Sequence, residues 1–321
     1  MNGGLKNVVI MAMRERFVLP HYHAYVRENR GCERRVCFPE GPLDKEFVAD
    51  PFLLRWKGET WMFFEGLYVK RGNRGLEKGV IGCLKQDGQD WRYCGVALEE
   101  PWHLSFPQVF EEHGRLFMIP ESGQAGTVSL YECAEFPLKW IKRCDLLKGN
   151  CNYVDAAILR ENGMYYMVLT PADLPRRPEL WLAESILGPW RKHPESDNVS
   201  CSAALRRNGG AFIRRNGRLY RIAQDCDGGY GIRLSQVPIQ MVDKHHYQEG
   251  AAEDLETSVS WPQPMPYHTY NRLAWNDVEI EVVDRHYYTL KSGMAFCSSL
   301  FWFLVDGLMF CCRRLLSRGG A

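Results

Sequence analysis

The chain has 321 residues, of which 45% are hydrophobic and 12% aromatic, so it can bury the core of one large domain or of two ordinary ones. Its 40 Lys and Arg residues nearly balance its 39 Asp and Glu residues. This balance leaves no strong field to attract nucleic acid, and we expect no nucleic-acid partner.

The N-terminal segment contains one apolar run, NVVIMAM at residues 7–13. The run is too short for the core of a signal peptide, and no small-residue cleavage site follows it. We therefore expect a cytoplasmic protein. The same run is a candidate β-strand for closing a ring of repeats.

The sequence shows no pattern typical of a bound metal or an organic cofactor. Twelve cysteines are scattered singly apart from Cys311 and Cys312, and neither a CxxC nor an HExxH spacing occurs. We expect reduced thiols, most of them in the core, and no metal. No cofactor is expected either, because GxGxxG and GxxxxGK[ST] phosphate loops are absent.

Four copies of one pattern follow each other along the chain at intervals of roughly fifty residues. Each copy has an apolar run, a polar turn with a glycine, and a second run rich in aromatic residues and Met. The turn glycines are Gly58, Gly114, Gly163 and Gly217. Alternating β-branched and aromatic residues around a short glycine turn predict β-hairpins.

A third strand-like run follows every hairpin, and in three copies a tryptophan closes this section, at Trp91, Trp140 and Trp190. Repeats of four strands are typical of the blades of a β-propeller. A weaker fifth copy lies at residues 266–290. The sequence therefore predicts an all-β fold, a five-bladed β-propeller over residues 1–292, with two β-sandwiches as the alternative.

Acidic residues recur at one end of the predicted hairpins. In a propeller blade the innermost strand leaves one face of the ring and the second strand returns to it. Residues eight before and seven after each turn glycine therefore lie at the same mouth. These positions hold, or adjoin, Asp50, Glu65, Glu121, Asp155, Gln224 and Asp225.

Two interpretations of these acids remain open. Carboxylates crowded at a partly enclosed mouth raise one another's pKa, so that one can serve as a general acid while another stays an anionic base. Alternatively, the acids cap strand ends and bond to neighbouring backbone.

Several motifs, in order and at this spacing, resemble a known family. ADPF, HLSFPQVFEEHGRLFMIPES, VDAAILRENGMYYMVL and RNGRLYRIAQDC look like the N-terminal domain of plant glucosamine inositolphosphorylceramide transferases and their stand-alone bacterial relatives. The resemblance covers about residues 45–290. That domain is similar to the five-bladed propellers of family 43 glycoside hydrolases. The resemblance implies a carbohydrate-handling surface at the mouth and a glycan or glycolipid substrate.

The resemblance also implies roles for individual residues. Family 43 hydrolases place an Asp base on the first blade, a second Asp that tunes proton affinity on a later blade, and a Glu acid at the start of another innermost strand. Asp50 matches the first role and Asp155 the second, but Asn208 and Gly209 stand where the Glu is wanted. Glu121 is the substitute acid. Inverting hydrolysis needs an acid and a base whose carboxyl groups are about 6.5–9.5 Å apart, and we expect Glu121 and Asp50, on adjacent blades, to meet this condition.

The leading hypothesis is a protein that acts on a glycosidic bond, with Asp50, Asp155 and Glu121 as catalytic residues. The alternative is a non-catalytic carbohydrate-binding domain in glycolipid or surface-polysaccharide biosynthesis, with a glycosyltransferase as partner. A protein-interaction scaffold is a third reading, disfavoured because the repeats lack a GH…WD pattern. The candidate substrate-binding residues are Glu65, Trp102, His103, Ser105, Gln224, Asp225 and His268.

The C-terminal segment, residues 293–321, is predicted to form an apolar helix. Residues 294–312 are nearly all apolar and are followed by Arg313 and Arg314. Length alone allows a membrane span, but Asp306 inside it would cost about 2.5–3.5 kcal/mol on insertion scales. Two interpretations remain: a helix packed on the propeller's flank, or a membrane-associating tail with its arginines at the headgroups.

Overall fold

The structure is a computed structural model. It describes residues 18–38, 41–68, 78–149, 151–172, 177–202, 204–226, 231–255 and 267–290. These residues fall into two compact units. The larger unit comprises the described residues within 22–67 and 78–286, and the other comprises residues 18–21, 68 and 287–290. In the smaller unit, the ring of His21 stacks on Tyr287 with 4.7 Å between centroids.

Twenty-two β-strands form within the described ranges. They are β1 (Val18–Glu28), β2 (Arg34–Arg35), β3 (Ala49–Trp56), β4 (Glu59–Gly66), β5 (Val80–Asp87), β6 (Asp90–Leu98), β7 (Ser105–Glu112), β8 (Arg115–Glu121), β9 (Thr127–Glu135), β10 (Lys139–Lys148), β11 (Tyr153–Glu161), β12 (Met164–Pro171), β13 (Glu179–Ala183), β14 (Arg191–Lys192), β15 (Arg207–Asn208), β16 (Ile213–Arg215), β17 (Arg218–Asp225), β18 (Arg233–Val242), β19 (Tyr247–Glu249), β20 (Glu253–Asp254), β21 (Tyr270–Trp275) and β22 (Val278–Leu290).

The strands form five antiparallel sheets, which are the blades of a propeller. Four blades each come from one continuous segment: β3 to β6, β7 to β10, β11 to β14, and β15 to β20. The fifth sheet has the order β21, β22, β1, β2, so it joins the C-terminal hairpin to the N-terminal strands and closes the ring. The predicted all-β, five-bladed propeller is confirmed.

Two predicted elements lie outside the described residues: the strand at 7–13 and the C-terminal helix at 293–321. Within the described part, the N-terminal strand that joins the fifth blade is β1. No helix in the described ranges is both long and apolar enough to cross a membrane.

The turn glycines have the backbone geometry that the hairpins require. Gly58, Gly114, Gly163 and Gly217 have φ between +75° and +81°, and each follows a residue that also has positive φ. Two successive left-handed residues are typical of the type I′ turn, whose twist matches that of the flanking strands. All four glycines are exposed.

Apolar clusters fill the spaces between successive blades. One cluster, which includes Phe63 and Met118, joins the first and second blades, and another, which includes Phe117 and Met167, joins the second and third. Similar clusters follow around the ring. The cysteines are less buried than expected, because Cys83 alone is fully buried among the nine free thiols of the described ranges.

Candidate functional site

The innermost strand of each of the first three blades has a left-handed residue near its start. Asp50 has φ +46°, Phe106 +46° and Asp155 +51°. Each lies at a break in the strand-pairing register, where one residue is extra on the inner strand. Because such bulges re-aim the backbone, these three N–H groups are free to bond outside their own sheet.

Each of these left-handed residues donates its backbone N–H to an acid of the preceding blade. Asp50 N donates to Asp284 Oδ2 at 2.9 Å, Phe106 N to Asp50 Oδ2 at 3.1 Å, and Asp155 N to Glu121 Oε2 at 3.0 Å. We call these three contacts the inter-blade N–H hydrogen bonds. They show that Asp50 and Glu121 do bond to neighbouring backbone, as the strand-capping interpretation holds.

Amide groups replace acids where the fourth blade meets its neighbours. Asn208 Nδ2 donates to the carbonyl oxygens of Asp155 and Val168, both at 2.8 Å, and the side chain is buried. On the other side, Tyr270 N donates to Gly209 O at 2.7 Å. These contacts of the fourth blade use neutral groups, whereas Arg207 adds an ion pair with Asp155 of the third blade.

Asp50 belongs to a buried cluster that spans the first and fifth blades. It accepts a hydrogen bond from Thr269 Oγ1, and its Oδ1 lies 3.7 Å from His268 Nε2. His268 Nδ1 in turn lies 2.7 Å from Asp284 Oδ2. Burial raises the pKa of Asp50 to about 7, with His268 opposing the rise and Glu65 adding to it. Burial lowers the pKa of His268, but Asp284 and Asp50 more than offset this and raise it to about 9.

The same cluster is the candidate cation site of the described residues. Asp50, His268 and Asp284 each offer one ligand atom, and these atoms lie within 4.8 Å of one another. A metal needs the neutral imidazole, whereas the two carboxylates raise the pKa of His268 to about 9. A cation would therefore have to displace a proton that the cluster already holds.

Asp155 and Glu121 form a second group at the same end of the ring. Arg207 donates two hydrogen bonds to Asp155. One runs from Nε to Oδ2, and the other runs from Nη2 to Oδ1 at 3.0 Å. Glu121 is half-buried, and burial followed by the nearby Asp155 charge raises its pKa to about 8, while Arg207 opposes the rise. Asp50 also contributes to this rise, so the two groups lie within electrostatic reach of each other.

His103 lies beside Glu65 at the end of the ring where the inner strands begin, which we call the opening. Its Nε2 lies 3.2 Å from Glu65 Oε1, and its Nδ1 accepts the Gly79 N–H at 2.8 Å. Burial lowers the pKa of His103, whereas Glu65, Glu121 and Asp50 raise it to about 9. The Gly79 amide opposes that protonation, because a protonated Nδ1 would face another donor. Nε2 therefore carries a proton and faces Glu65 as a donor in both the neutral and the protonated form of His103.

Trp102 and Ser105 adjoin His103 in the chain, and their contacts are mainly with the surrounding scaffold. Trp102 packs against the apolar cluster between the first two blades, with Lys142 Nζ 5.9 Å from its ring centroid. Ser105 is buried opposite Glu121 in the strand register.

Gln224 and Asp225 lie at the end of β17. Gln224 Nε2 donates to His268 O at 3.2 Å, which links the fourth and fifth blades. Asp225 Oδ2 accepts from Arg233 Nη2 at 3.4 Å. Both side chains are buried, and these bonds join them to other strands of the propeller.

Three residues of the site were missed by the sequence analysis: Thr269, Asp284 and Arg207. The fifth hairpin turns at Asn276 and Asp277 rather than at a glycine, with Asn276 at φ +47°. Counting eight back and seven forward from Asp277 finds Thr269 and Asp284, so the register itself held the signal. No comparable signal marks Arg207.

We expect Arg207→Ala to destabilise the fold strongly, because it would leave the buried Asp155 carboxylate without its cation. Removing one partner of a buried pair costs about 3 kcal/mol or more. Arg233→Ala is the control, since Arg233 is 61% exposed and its pair with Asp225 should contribute less than about 1 kcal/mol. Urea unfolding measures the free energy of unfolding of both variants. Equal losses would show that the Arg207–Asp155 pair stabilises the fold no more than the exposed Arg233–Asp225 pair does.

The free energy of unfolding should fall as pH rises from 6.5 to about 8.5. Asp50, Glu121 and His268 have folded pKa values of about 7, 8 and 9, each above its ordinary value. Each therefore contributes stability at low pH that is lost as pH rises through its folded pKa. His286, whose pKa burial lowers to about 4, acts with the opposite sign below this range.

Glu121→Gln should flatten this decline and make the variant more stable than the parent at pH 8.5, by on the order of 1 kcal/mol. The glutamine oxygen can still accept the Asp155 N–H. Glu135→Gln, at an exposed acid, should leave the pH profile parallel to that of the parent. A Glu121→Gln profile parallel to the parent would contradict the raised pKa.

Comparison with known proteins supports this fold and places the chain in a family. Residues 37–294 match the family described as "Glucosamine inositolphosphorylceramide transferase 1, N-terminal". Glucosamine inositolphosphorylceramide transferase 1 of Arabidopsis thaliana is 31% identical over 278 residues, which cover 84% of this chain and 33% of that protein. The protein of the same name from Oryza sativa subsp. japonica is 32% identical and covers 71% of this chain and 32% of its own length. The chain therefore spans about a third of these relatives.

Two solved structures share the fold at low sequence identity. An alpha-L-arabinofuranosidase from Lactobacillus brevis has a TM-score of 0.53 and 16% identity, covering 70% of this chain and 83% of its own. A glycoside hydrolase family 43 protein from Bacillus licheniformis has a TM-score of 0.51 and 14% identity, covering 68% and 48%. The resemblance inferred from the motifs is thus confirmed, and the chain belongs to the glucosamine inositolphosphorylceramide transferase 1 N-terminal family.

Proposed function

We propose that the protein binds the sugar part of a glycan or glycolipid at the opening around its inner strands and serves glycosyl transfer as a recognition domain. The relatives' name supports a glycolipid context. At the opening, Glu121 and Arg207 are half-buried, and His103 has a side chain that is 32% exposed. These groups supply the donors and acceptors that sugar hydroxyls require. A glycosyltransferase is the partner that this role calls for.

The observation that carries recognition over hydrolysis is the use of the acids by the scaffold. Both oxygens of Asp155 accept from Arg207, and Asp50 accepts from Phe106 N and Thr269 Oγ1. A general base must hold the attacking water with a carboxylate oxygen. In addition, Asn208 occupies the place of the expected Glu, and its buried amide bridges two carbonyl oxygens.

The raised pKa values favour cleavage of a glycosidic bond as the second candidate. Glu121, with a pKa of about 8, is mostly protonated at neutral pH and suits a general acid. Asp50, with a pKa of about 7, would be the base, and Asp155 would tune the proton affinity of Glu121. In this case the rate should follow a bell-shaped profile with limbs near pH 7 and 8.

A screen of the full chain on an array of glycans and glycolipid headgroups, followed by product analysis on every hit, tests both candidates. Recognition predicts binding without a cleaved product. His103→Ala should weaken that binding by about tenfold, the effect of losing one hydrogen bond of about 1.4 kcal/mol. His245→Ala, at an exposed histidine, is the matched control and should bind as the parent does.

Cleavage predicts instead a product that disappears in Glu121→Gln while binding persists. A chain that binds no glycan on the array and yields no product would contradict both candidates. Equal effects of His103→Ala and His245→Ala would place the binding surface elsewhere on the protein.

A further inference from the structure

Three cysteines belong to, or pack against, the apolar cluster between the first and second blades. Cys83 is part of this cluster and fully buried, and the half-buried Cys94 and Cys133 pack against it. We call them the thiol cluster. The proposed sugar-binding role does not involve these cysteines.

A bulge brings Cys94 next to Cys83. Strand β5 pairs with β6 through Cys83 with Gly95 and Leu84 with Tyr93, so Cys94 is the extra, unpaired residue of β6. Bulges re-aim side chains in this way. The bulge needs a glycine, because Gly95 has φ +140° and a Cβ there would lie 2.8 Å from Leu138 Cδ1.

The bulge and the shared apolar cluster place the two thiols side by side, and their surroundings make them chemically unequal. Hydrogen bonding by Cys83 lowers the pKa of Cys94 to about 7, with burial opposing it and the cations Arg92 and Lys85 assisting. Burial raises the pKa of Cys83 instead. Cys94 is therefore the nucleophile of the pair near neutral pH, since the thiolate is the reactive form.

The other partly buried thiols of the region lack this feature. Burial raises the pKa of Cys133 to about 11, and burial also raises the pKa of Cys144. Both are half-buried like Cys94. Exposure alone therefore does not distinguish Cys94, whereas its contact with Cys83 does.

We propose that Cys94 is a peroxide-reactive modification site and that Cys83 resolves its oxidised form as a disulfide between β5 and β6. The Cys94 thiolate attacks one peroxide oxygen, the O–O bond breaks, and the other oxygen takes a proton and leaves as water, which forms the Cys94 sulfenic acid. The Cys83 sulfur then attacks the Cys94 sulfur, the S–O bond breaks, and the proton of the Cys83 thiol goes to the departing hydroxyl group, which leaves as a second water. In sum, two thiols and one hydrogen peroxide give one disulfide and two waters.

The order of the two steps follows from the burial of the thiols. Half-buried Cys94 can meet a peroxide, whereas Cys83 has no exposed surface and meets only its neighbour. The disulfide would join β5 and β6, the two outer strands of the first blade, and would involve none of the proposed sugar-binding residues. Sugar binding should therefore be the same before and after oxidation.

Peptide mapping of the full chain after exposure to hydrogen peroxide at pH 7.5 tests the proposal. Free thiols are blocked with N-ethylmaleimide before tryptic digestion. Cys83 falls in peptide 79–85 and Cys94 in peptide 93–115, so the disulfide joins two distinct peptides. Cys133, in 116–139, and Cys144, in 144–148, should stay blocked. In Cys83→Ser, dimedone should label the sulfenic acid on Cys94.

Alkylation of the unaltered chain by iodoacetamide provides a test that does not depend on a core variant folding. Cys94 should react about tenfold faster than the matched control Cys144 at pH 7, with a rate that rises through a midpoint near pH 7. Equal rates for the two cysteines would overturn the reactive thiol. A disulfide from Cys94 to Cys133, or no joined peptide, would overturn the role of Cys83.

Discussion

Three of the five junctions between blades depend on one interaction, a backbone N–H near the start of an inner strand donated to an acid of the preceding blade. It occurs at Asp50, Phe106 and Asp155, all of which have a left-handed backbone. Left-handed conformations of such residues are uncommon and persist where the surroundings hold them. The acids supply that support, and the N–H groups in return keep buried carboxylates from being unpaired. The left-handed backbone and the buried carboxylate therefore stabilise each other.

This arrangement explains why the acids are both structural and chemically unusual. An acid that must reach the backbone of the next blade is drawn into the ring and loses water, which raises the pKa of Asp50 and Glu121. A single N–H donor offsets only part of this effect. Asp284 differs, because the effect of burial is outweighed by the charge and hydrogen bond of His268, which hold the pKa of Asp284 below its ordinary value. Raised proton affinity at this opening is thus a consequence of how the blades are joined, and general acid chemistry would be an additional use of it.

The architecture was predictable because turn glycines and flanking aromatic residues repeat with a regular period. The same register placed Asp50, Glu65, Glu121 and Asp155 at one end of their hairpins. It missed Asp284 and Thr269 because Asp277 replaces the glycine of the fifth turn. The bonding of the acids was beyond sequence reasoning, since Phe106 shares the left-handed conformation of Asp50 and Asp155 without sharing their chemistry. The bulge that joins Cys94 to Cys83 likewise depends on strand pairing between residues that no motif connects.

The most direct test of this account is an NMR pH titration of the backbone amides of Phe106 and Asp155. If Asp50 and Glu121 accept these N–H groups, the Phe106 amide proton should shift with a midpoint near pH 7 and the Asp155 amide proton with one near pH 8. The amide of exposed Gly163 should show neither transition. Flat titration curves for the Phe106 and Asp155 amide protons over this range would contradict the inter-blade N–H hydrogen bonds.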